Sequence, residues 1–297
     1  MSKAGVLIWR HIFESGDAKR LALQVQDISD LHIIRDIPYI NDGEQGHLAD
    51  IYELPDLPDE APVFFNIHGG GLFASYKEVN VNFNYEWARM GYRVVSISYR
   101  RIPEATLWHQ IDDVMAALRF FRENAAQYHL NLENAYLCGD SAGALLSLFA
   151  LSLHSSEKLR RDFAIEDHGI FFKAAGFISI MLDTQRRDLM MAISSAVTDR
   201  KDRKKPCAKY LLDPSKLLEE AVLPPLFMVT SAEDLIQKDT LKLDRLLYRK
   251  NIKHTVKNFP EGEENELVHV FSVMYPMYKE SREVYSLMDA YFKEEGR

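Results

Sequence analysis

Tyr136–Leu146 reads YLCGDSAGALL, with a single serine, Ser141, between Gly139 and Gly143. An apolar, strand-like run precedes it and a helix-like run follows. G-x-S-x-G is short enough to arise by chance, so its meaning depends on partners elsewhere. If the serine is a nucleophile, a sharp strand-to-helix turn must aim its hydroxyl outward, and side chains at the flanking positions would collide with neighbouring elements. The turn also places the amide of Ala142 at a helix N-terminus, where backbone N–H groups are ready donors to a developing oxyanion. A serine hydroxyl is a weak nucleophile at neutral pH and needs a base, a carboxylate to orient that base, and such donors.

Each of these has a candidate. NIHGGGLF follows a buried strand, APVFF, and its glycines let the backbone approach a substrate with N–H groups turned inward. HGGG ahead of GDSAG, each after a strand, is far more specific than either alone. The carboxylate is expected after a later strand: PPLFMVTSAEDLIQKD ends at Glu233 and Asp234. Asp234 is the choice, with Glu233 and Asp239 as alternatives. Of ten histidines only His254 and His269 come later. His254 lies inside a strand, KHTVKNF; His269 lies in a loop, where an imidazole can reach Ser141. The resulting order is Ser141, Asp234, His269.

Around these motifs apolar runs alternate with helical patterns. HIIRDIPYI and HLADIYEL read as two strands able to pair antiparallel, and YRVVSISYR, AYLCG, AAGFISI, PPLFMVT and KHTVKNF as further strands. HQIDDVMAALRFFRENAAQYH repeats Val114, Ala117, Leu118 and Phe121 at helical spacing. GALLSLFALSLH, QKDTLKLDRLLYRK and SREVYSLMDAYFKE are the other clear helices. Such alternation implies a mostly parallel sheet covered on both faces, with reactive loops at the carboxyl ends of its strands. Residues 183–218 interrupt it and read as an inserted cap within a single domain spanning 1–297, with the N-terminal segment 1–30 and its helix RHIFESGDAKRLALQVQ as a second contributor. RKDRKK inside the cap reads as a solvated face, since Asp199 and Asp202 interleave with the cations.

The 297 residues carry a net charge of −8, which disfavours phosphate backbones and anionic membranes. No stretch approaches a membrane span. Cys138 and Cys207 form no CxxC pattern, so no disulfide framework or zinc site is expected. A cytoplasmic location fits, and a homodimer is compatible with all of this.

IHGGG, GYRVVSISYRRIPE, GDSAG, AEDLI and HVF, in that order, resemble the hormone-sensitive-lipase-like branch of the α/β-hydrolases (esterase family IV), from about Ile34 onward. The resemblance implies an α/β-hydrolase fold: a mostly parallel sheet of about eight strands, helices on both faces and a small cap. It implies a carboxylic ester hydrolase with Gly70, Gly71 and Ala142 as oxyanion donors, His68 shaping the glycine loop, and Arg100 and Asp113 as a structural pair. No metal or organic cofactor is required. Three features depart from the family pattern: Ala144 and Ser75 stand where glycine is common, and the stretch EGEENELV between Pro260 and His269 is long and acidic. Its four glutamates either favour the imidazolium form of the base or form a solvated loop without influence.

Short, soluble acyl esters are the expected substrates. Leu72, Phe73, Met190 and Met191 are candidates for an apolar pocket, though core or cap packing explains them equally well. Two other functions use the same residues: an amidase such as a formylkynurenine formamidase, and a non-catalytic binding protein that has lost the chemistry. An incomplete triad is the feature that favours the second.

Overall fold

The computed structural model describes residues 3–185 and 197–296. Eight strands form one sheet in the order β1-β2-β4-β3-β5-β6-β7-β8. β1 (His32–Pro38) pairs antiparallel with β2 (Leu48–Glu53), and β2 antiparallel with β4 (Arg93–Ile97). β3 (Pro62–Ile67), β5 (Asn131–Asp140), β6 (Phe172–Ile178), β7 (Leu226–Ser231) and β8 (His254–Phe259) continue from β4 in parallel. The early pair read from HIIRDIPYI and HLADIYEL is thus present and antiparallel, and every later strand expectation corresponds to a strand.

Burial explains the apolar runs. All five residues of β4 and all six of β7 are buried, as parallel strands covered on both faces require. α1 (Lys3–Leu23), α2 (Val81–Arg89), α3 (Leu107–Glu123), α4 (Ala142–Ser155) and α5 (Glu157–Phe163) precede a short helix at Ala208–Leu212 and the longer helices Gln237–Arg249 and Lys279–Glu295. In α4 every residue from Ala142 to Leu153 is buried, so ALLSLFALSL needs no polar face. Two buried clusters lie on either side of the sheet strands. One contains Phe65, Leu118, Leu145 and Phe149; the other Phe64, Trp87, Tyr136 and Phe292. α2 and α5 have no counterpart in the periodic patterns read from the sequence.

The expected cap at 183–218 is described only in part, and Met190 and Met191 lie outside the described residues. In its described portion Cys207, Tyr210, Leu211 and Leu217 are buried in the main core. Within RKDRKK, Lys205 pairs with Asp202 at 3.0 Å and sits 3.4 Å from the Trp108 ring centroid. No described helix is long and apolar enough to cross a membrane.

Candidate active site

Four loops meet at the carboxyl edge of the parallel strands. β5 ends at Asp140 and α4 begins at Ala142, leaving Ser141 alone in the turn at φ 52°, ψ −114°. That backbone region is strained for any residue with a side chain. Hydrogen bonds hold it there: the Ser141 amide donates to the Ile178 carbonyl at 2.8 Å, and the amides of Met181 and Leu145 donate to the Ser141 carbonyl at 3.1 and 3.2 Å. The glycines are sterically required. A Cβ on Gly143 would lie 1.9 Å from the Ile67 carbonyl oxygen, and one on Gly139 2.5 Å from the Gly143 backbone.

The structure brings together the three residues chosen from the sequence. His269 Nε2 is 2.9 Å from Ser141 Oγ, and His269 Nδ1 is 2.8 Å from Asp234 Oδ1. Burial raises the Asp234 carboxyl, but hydrogen bonds from His269, the Ile236 amide and Ser179 outweigh it and hold the group below the usual carboxylate range. Thr230 Oγ1 donates to the other Asp234 oxygen at 2.9 Å. The alternatives lie elsewhere. Asp239 accepts the amides of Leu182 and Asp183, each at 2.9 Å. Glu233 accepts two amides of the loop before His269. His254, in β8, faces Asp244 at 3.0 Å.

The glycine loop is tied to the turn at Ser141 through Asp140. Asp140 Oδ1 accepts from the Gly69 amide at 3.0 Å and from Asn80 Nδ2 at 2.7 Å. Gly70 and Gly71 have φ of 108° and 60°. A Cβ on Gly70 would lie 2.2 Å from the Ala74 carbonyl oxygen, since the amides of Phe73 and Ala74 fold back onto the Gly70 carbonyl at 3.1 and 2.9 Å. His68 stacks on Tyr99 at 4.3 Å, and burial pushes its imidazole down to about 3; it is neutral and shapes the loop. Arg100 meets Asp113 through its amide at 3.0 Å and its Nε at 2.9 Å, the structural pair expected between SYRR and α3.

Burial raises the Asp140 carboxyl to about 6, against the lowering effect of Asn80, His269 and Gly69. An acid whose folded value lies above its unfolded value binds protons more tightly in the folded state, so its contribution to stability falls as pH rises from about 3.8 to about 6. Asp140→Asn removes this penalty. The stability gap between variant and wild type should shift in the variant's favour by on the order of 3 kcal/mol between pH 3.5 and pH 7. Urea unfolding at the two pH values measures it, and a pH-independent gap contradicts it.

A cavity of about 150 Å³ opens at Ser141, lined by the glycine loop, Ser141, His269, Phe13, Asp17, Arg20, Asn80, Val270, Val273 and Met274. Leu72 and Phe73 are absent from this lining, which corrects the pocket expected from them. Leu72 adopts φ 71° and is fully buried in the core, with its carbonyl accepting from Gln110 Nε2 at 2.7 Å. Phe73 packs edge-on to Phe13 at 5.2 Å.

The roof is α1. Arg10 Nε donates to the Phe73 carbonyl at 2.7 Å, Glu14 accepts the Ser75 amide at 3.0 Å, and Asp17 accepts the Ser75 hydroxyl at 3.0 Å. Arg20 donates to the carbonyls of Met274 and Val79 at 3.1 and 3.2 Å. Ser75 therefore keeps a glycine-like φ of 67° and uses both amide and hydroxyl to grip the helix, which accounts for its departure from the family pattern. A second, more polar hollow of about 350 Å³ shares Asp17, Ser75 and Val79 with the first.

Among the described residues, His154, Asp167 and His168 are close enough to hold a metal ion. The two imidazoles stack at 4.7 Å and 18°, His154 Nδ1 meets Asp167 Oδ1 at 2.8 Å, and His168 Nδ1 accepts the Ile170 amide. His154 lies in the last turn of α4, about 20 Å along the helix from Ser141.

An eight-stranded, mostly parallel sheet with its nucleophile-type turn after β5 is the α/β-hydrolase fold. The chain belongs to the family described as BD-FAE, which matches residues 49–220, more than half of its length. The match takes in the glycine loop and the Ser141 turn and stops before Asp234 and His269. The rice protein designated "Probable isoprenylcysteine alpha-carbonyl methylesterase ICMEL1" is 25% identical over 230 residues, 69% of this chain and 54% of that one. Esterase LipQ of Mycobacterium tuberculosis is 30% identical over 171 residues, 57% of this chain and 38% of that one. The chain thus spans about half or less of the length of these relatives. The crystal structure of esterase B from Lactobacillus rhamnosis superposes with a TM-score of 0.91 at 22% identity, covering 99% of this chain and 94% of that one. The same enzyme has been solved inhibited by a tributyrin phosphonate.

Proposed function

We propose that this protein is a serine hydrolase of short-acyl carboxylic esters, working through an acyl-enzyme. The observation that carries the reading is the continuous hydrogen-bonded line from Asp234 through His269 to Ser141, at 2.8 and 2.9 Å. His269 takes the Ser141 proton as the hydroxyl attacks the ester carbonyl. Asp234, kept ionised by its hydrogen bonds, fixes the imidazole tautomer and stabilises the imidazolium. The amides of Gly70, Gly71 and Ala142 receive the tetrahedral oxyanion, with about 3–4 kcal/mol lost on removal of one such donor. The alcohol leaves with the proton from His269, and water repeats the sequence to free the acid.

The cavity volume of about 150 Å³ equals roughly five waters at ~30 Å³ each, room for an acyl group of a few carbons. Phe13, Val270, Val273 and Met274 supply its apolar lining. The relatives named as esterases support ester over amide chemistry, and the tributyrin phosphonate inhibition of the Lactobacillus enzyme supports a serine nucleophile. The complete Ser–His–Asp line argues against a binding protein that has lost its chemistry.

Two assays test the reading. A fluorophosphonate should label the protein at Ser141, and p-nitrophenyl butyrate should be hydrolysed faster than an aryl formamide. Labelling elsewhere rules out Ser141 as nucleophile; the reverse preference makes the protein an amidase. Asp234→Asn should leave the fold intact and lower kcat by about 10⁴, through the wrong tautomer; steady-state rates on the same ester measure this.

A further inference from the structure

We propose that Glu233, beside the triad acid in sequence, is a positioning residue that sets the location of His269 by clamping the loop in front of it. The proposal rests on the hydrolase reading above and deepens it. A single carboxylate oxygen of Glu233, Oε2, accepts the amides of both Gly262 and Leu267, at 3.0 and 2.7 Å. These residues lie one position in from either end of the long acidic stretch, so one atom closes the loop between them like a ring.

The stretch between is tightly curled. A Cβ on Gly262 would fall 1.8 Å from the Asn265 carbonyl oxygen, so only glycine permits the approach. On the same segment, the Ser231 hydroxyl donates to the Leu267 carbonyl. Beyond the imidazole, the Val270 amide donates to Ser179 Oγ at 3.2 Å. His269 is therefore bracketed, with anchors two residues before it and one after.

The clamp opposes a definite force. Glu261, Glu263, Glu264 and Glu266 are all exposed and repel one another. Among the described cations, Lys279 faces them, at 3.8 Å from Glu263 and 3.5 Å from Glu264. Hydrogen bonds from Leu267 and Gly262 hold the Glu233 carboxyl below the ordinary glutamate range, so it remains an acceptor wherever the base works. A displacement of about 1 Å at a reacting group costs on the order of 10²-fold in rate, and the glutamates push the unclamped loop toward such a displacement.

The test compares Glu233→Ala, Glu233→Gln and Glu233→Asp in the full chain, with p-nitrophenyl butyrate turnover, the rate of fluorophosphonate labelling, and thermal unfolding. Ala should lower kcat and the labelling rate together by about 30- to 100-fold, with KM within about twofold. Gln offers one carbonyl oxygen in the place of Oε2 and should recover most of the loss. Asp is one methylene shorter and should behave like Ala. Should Ala fail to fold, the contrast between Gln and Asp decides. A folded Ala or Asp variant with wild-type kcat overturns the proposal, as does a Gln variant no better than Ala. If the wild-type protein neither turns over the ester nor labels at Ser141, the hydrolase reading fails and takes this one with it. An active wild type with an unimpaired Ala variant sinks the clamp alone.

Discussion

Ser141→Gly is expected to unfold later than the wild type while losing nearly all turnover. At φ 52°, ψ −114° the serine backbone occupies a region that costs of order 1–3 kcal/mol for a residue with a Cβ. Glycine relieves that strain, and its added freedom in the unfolded chain offsets part of the gain. The net expectation is about 1 kcal/mol of stabilisation, read as a higher denaturant midpoint at unchanged slope. Ester turnover should fall by about 10⁵–10⁶, since the covalent step has no other nucleophile. Strain and reactivity sit in one residue, so the signs must be opposite. A glycine variant less stable than wild type would show that the surrounding hydrogen bonds, not strain, dominate the turn.

Gly143→Ala, two residues along, is expected to lose both stability and turnover. Its Cβ would lie 1.9 Å from the Ile67 carbonyl oxygen and 2.6 Å from that of His68. Both atoms are backbone at the end of β3, so no side chain can swing away. α4 must lift from β3 or the glycine loop must shift, and either costs about 3 kcal/mol or more, the upper range for overpacking. The same movement pulls Ala142 and Gly70 apart, so kcat should fall by at least about 10²-fold. Chemical denaturation and steady-state kinetics on the short ester measure both. A variant with wild-type midpoint and rate would mean that the strand end yields without penalty.

The sheet was legible because parallel strands buried on both faces appear as unbroken apolar runs, as in β3, β5 and β7. The residues around Ser141 were legible for a different reason: the turn admits so few side chains that its steric demands are written directly as glycines. α1 was legible as a helix contributing to the cap, but not in the face it turns to the site. Arg10, Phe13, Asp17 and Arg20 lie at steps of three and four, a helical face, but three of the four are charged, so neither signal marks it as the inward one. In the structure that face points inward, where its charges find carbonyls, amides and the Ser75 hydroxyl rather than water. Leu72 misled for a local reason: its positive φ turns a side chain that follows the glycine loop away from the cavity and into the core. The sequence favours Asp234 over Glu233 and Asp239 by its place just past the apolar run, although all three follow β7 within a few residues. The loop from Gly262 to His269, folded back against β7, distinguishes them in space.

α1 covers the cavity, yet none of the three residues in the proposed reaction comes from it. The reacting groups are fixed by the sheet, whereas the roof above them is held by side chains such as Arg10, Asp17 and Arg20. The cavity lining is thus split between two parts of the chain: Phe13, Asp17 and Arg20 come from the covering helix, and Val270, Val273 and Met274 from the segment that carries His269. Substitution on the helix side can therefore reshape the cavity while leaving the hydrogen bonds joining Ser141, His269 and Asp234 in place.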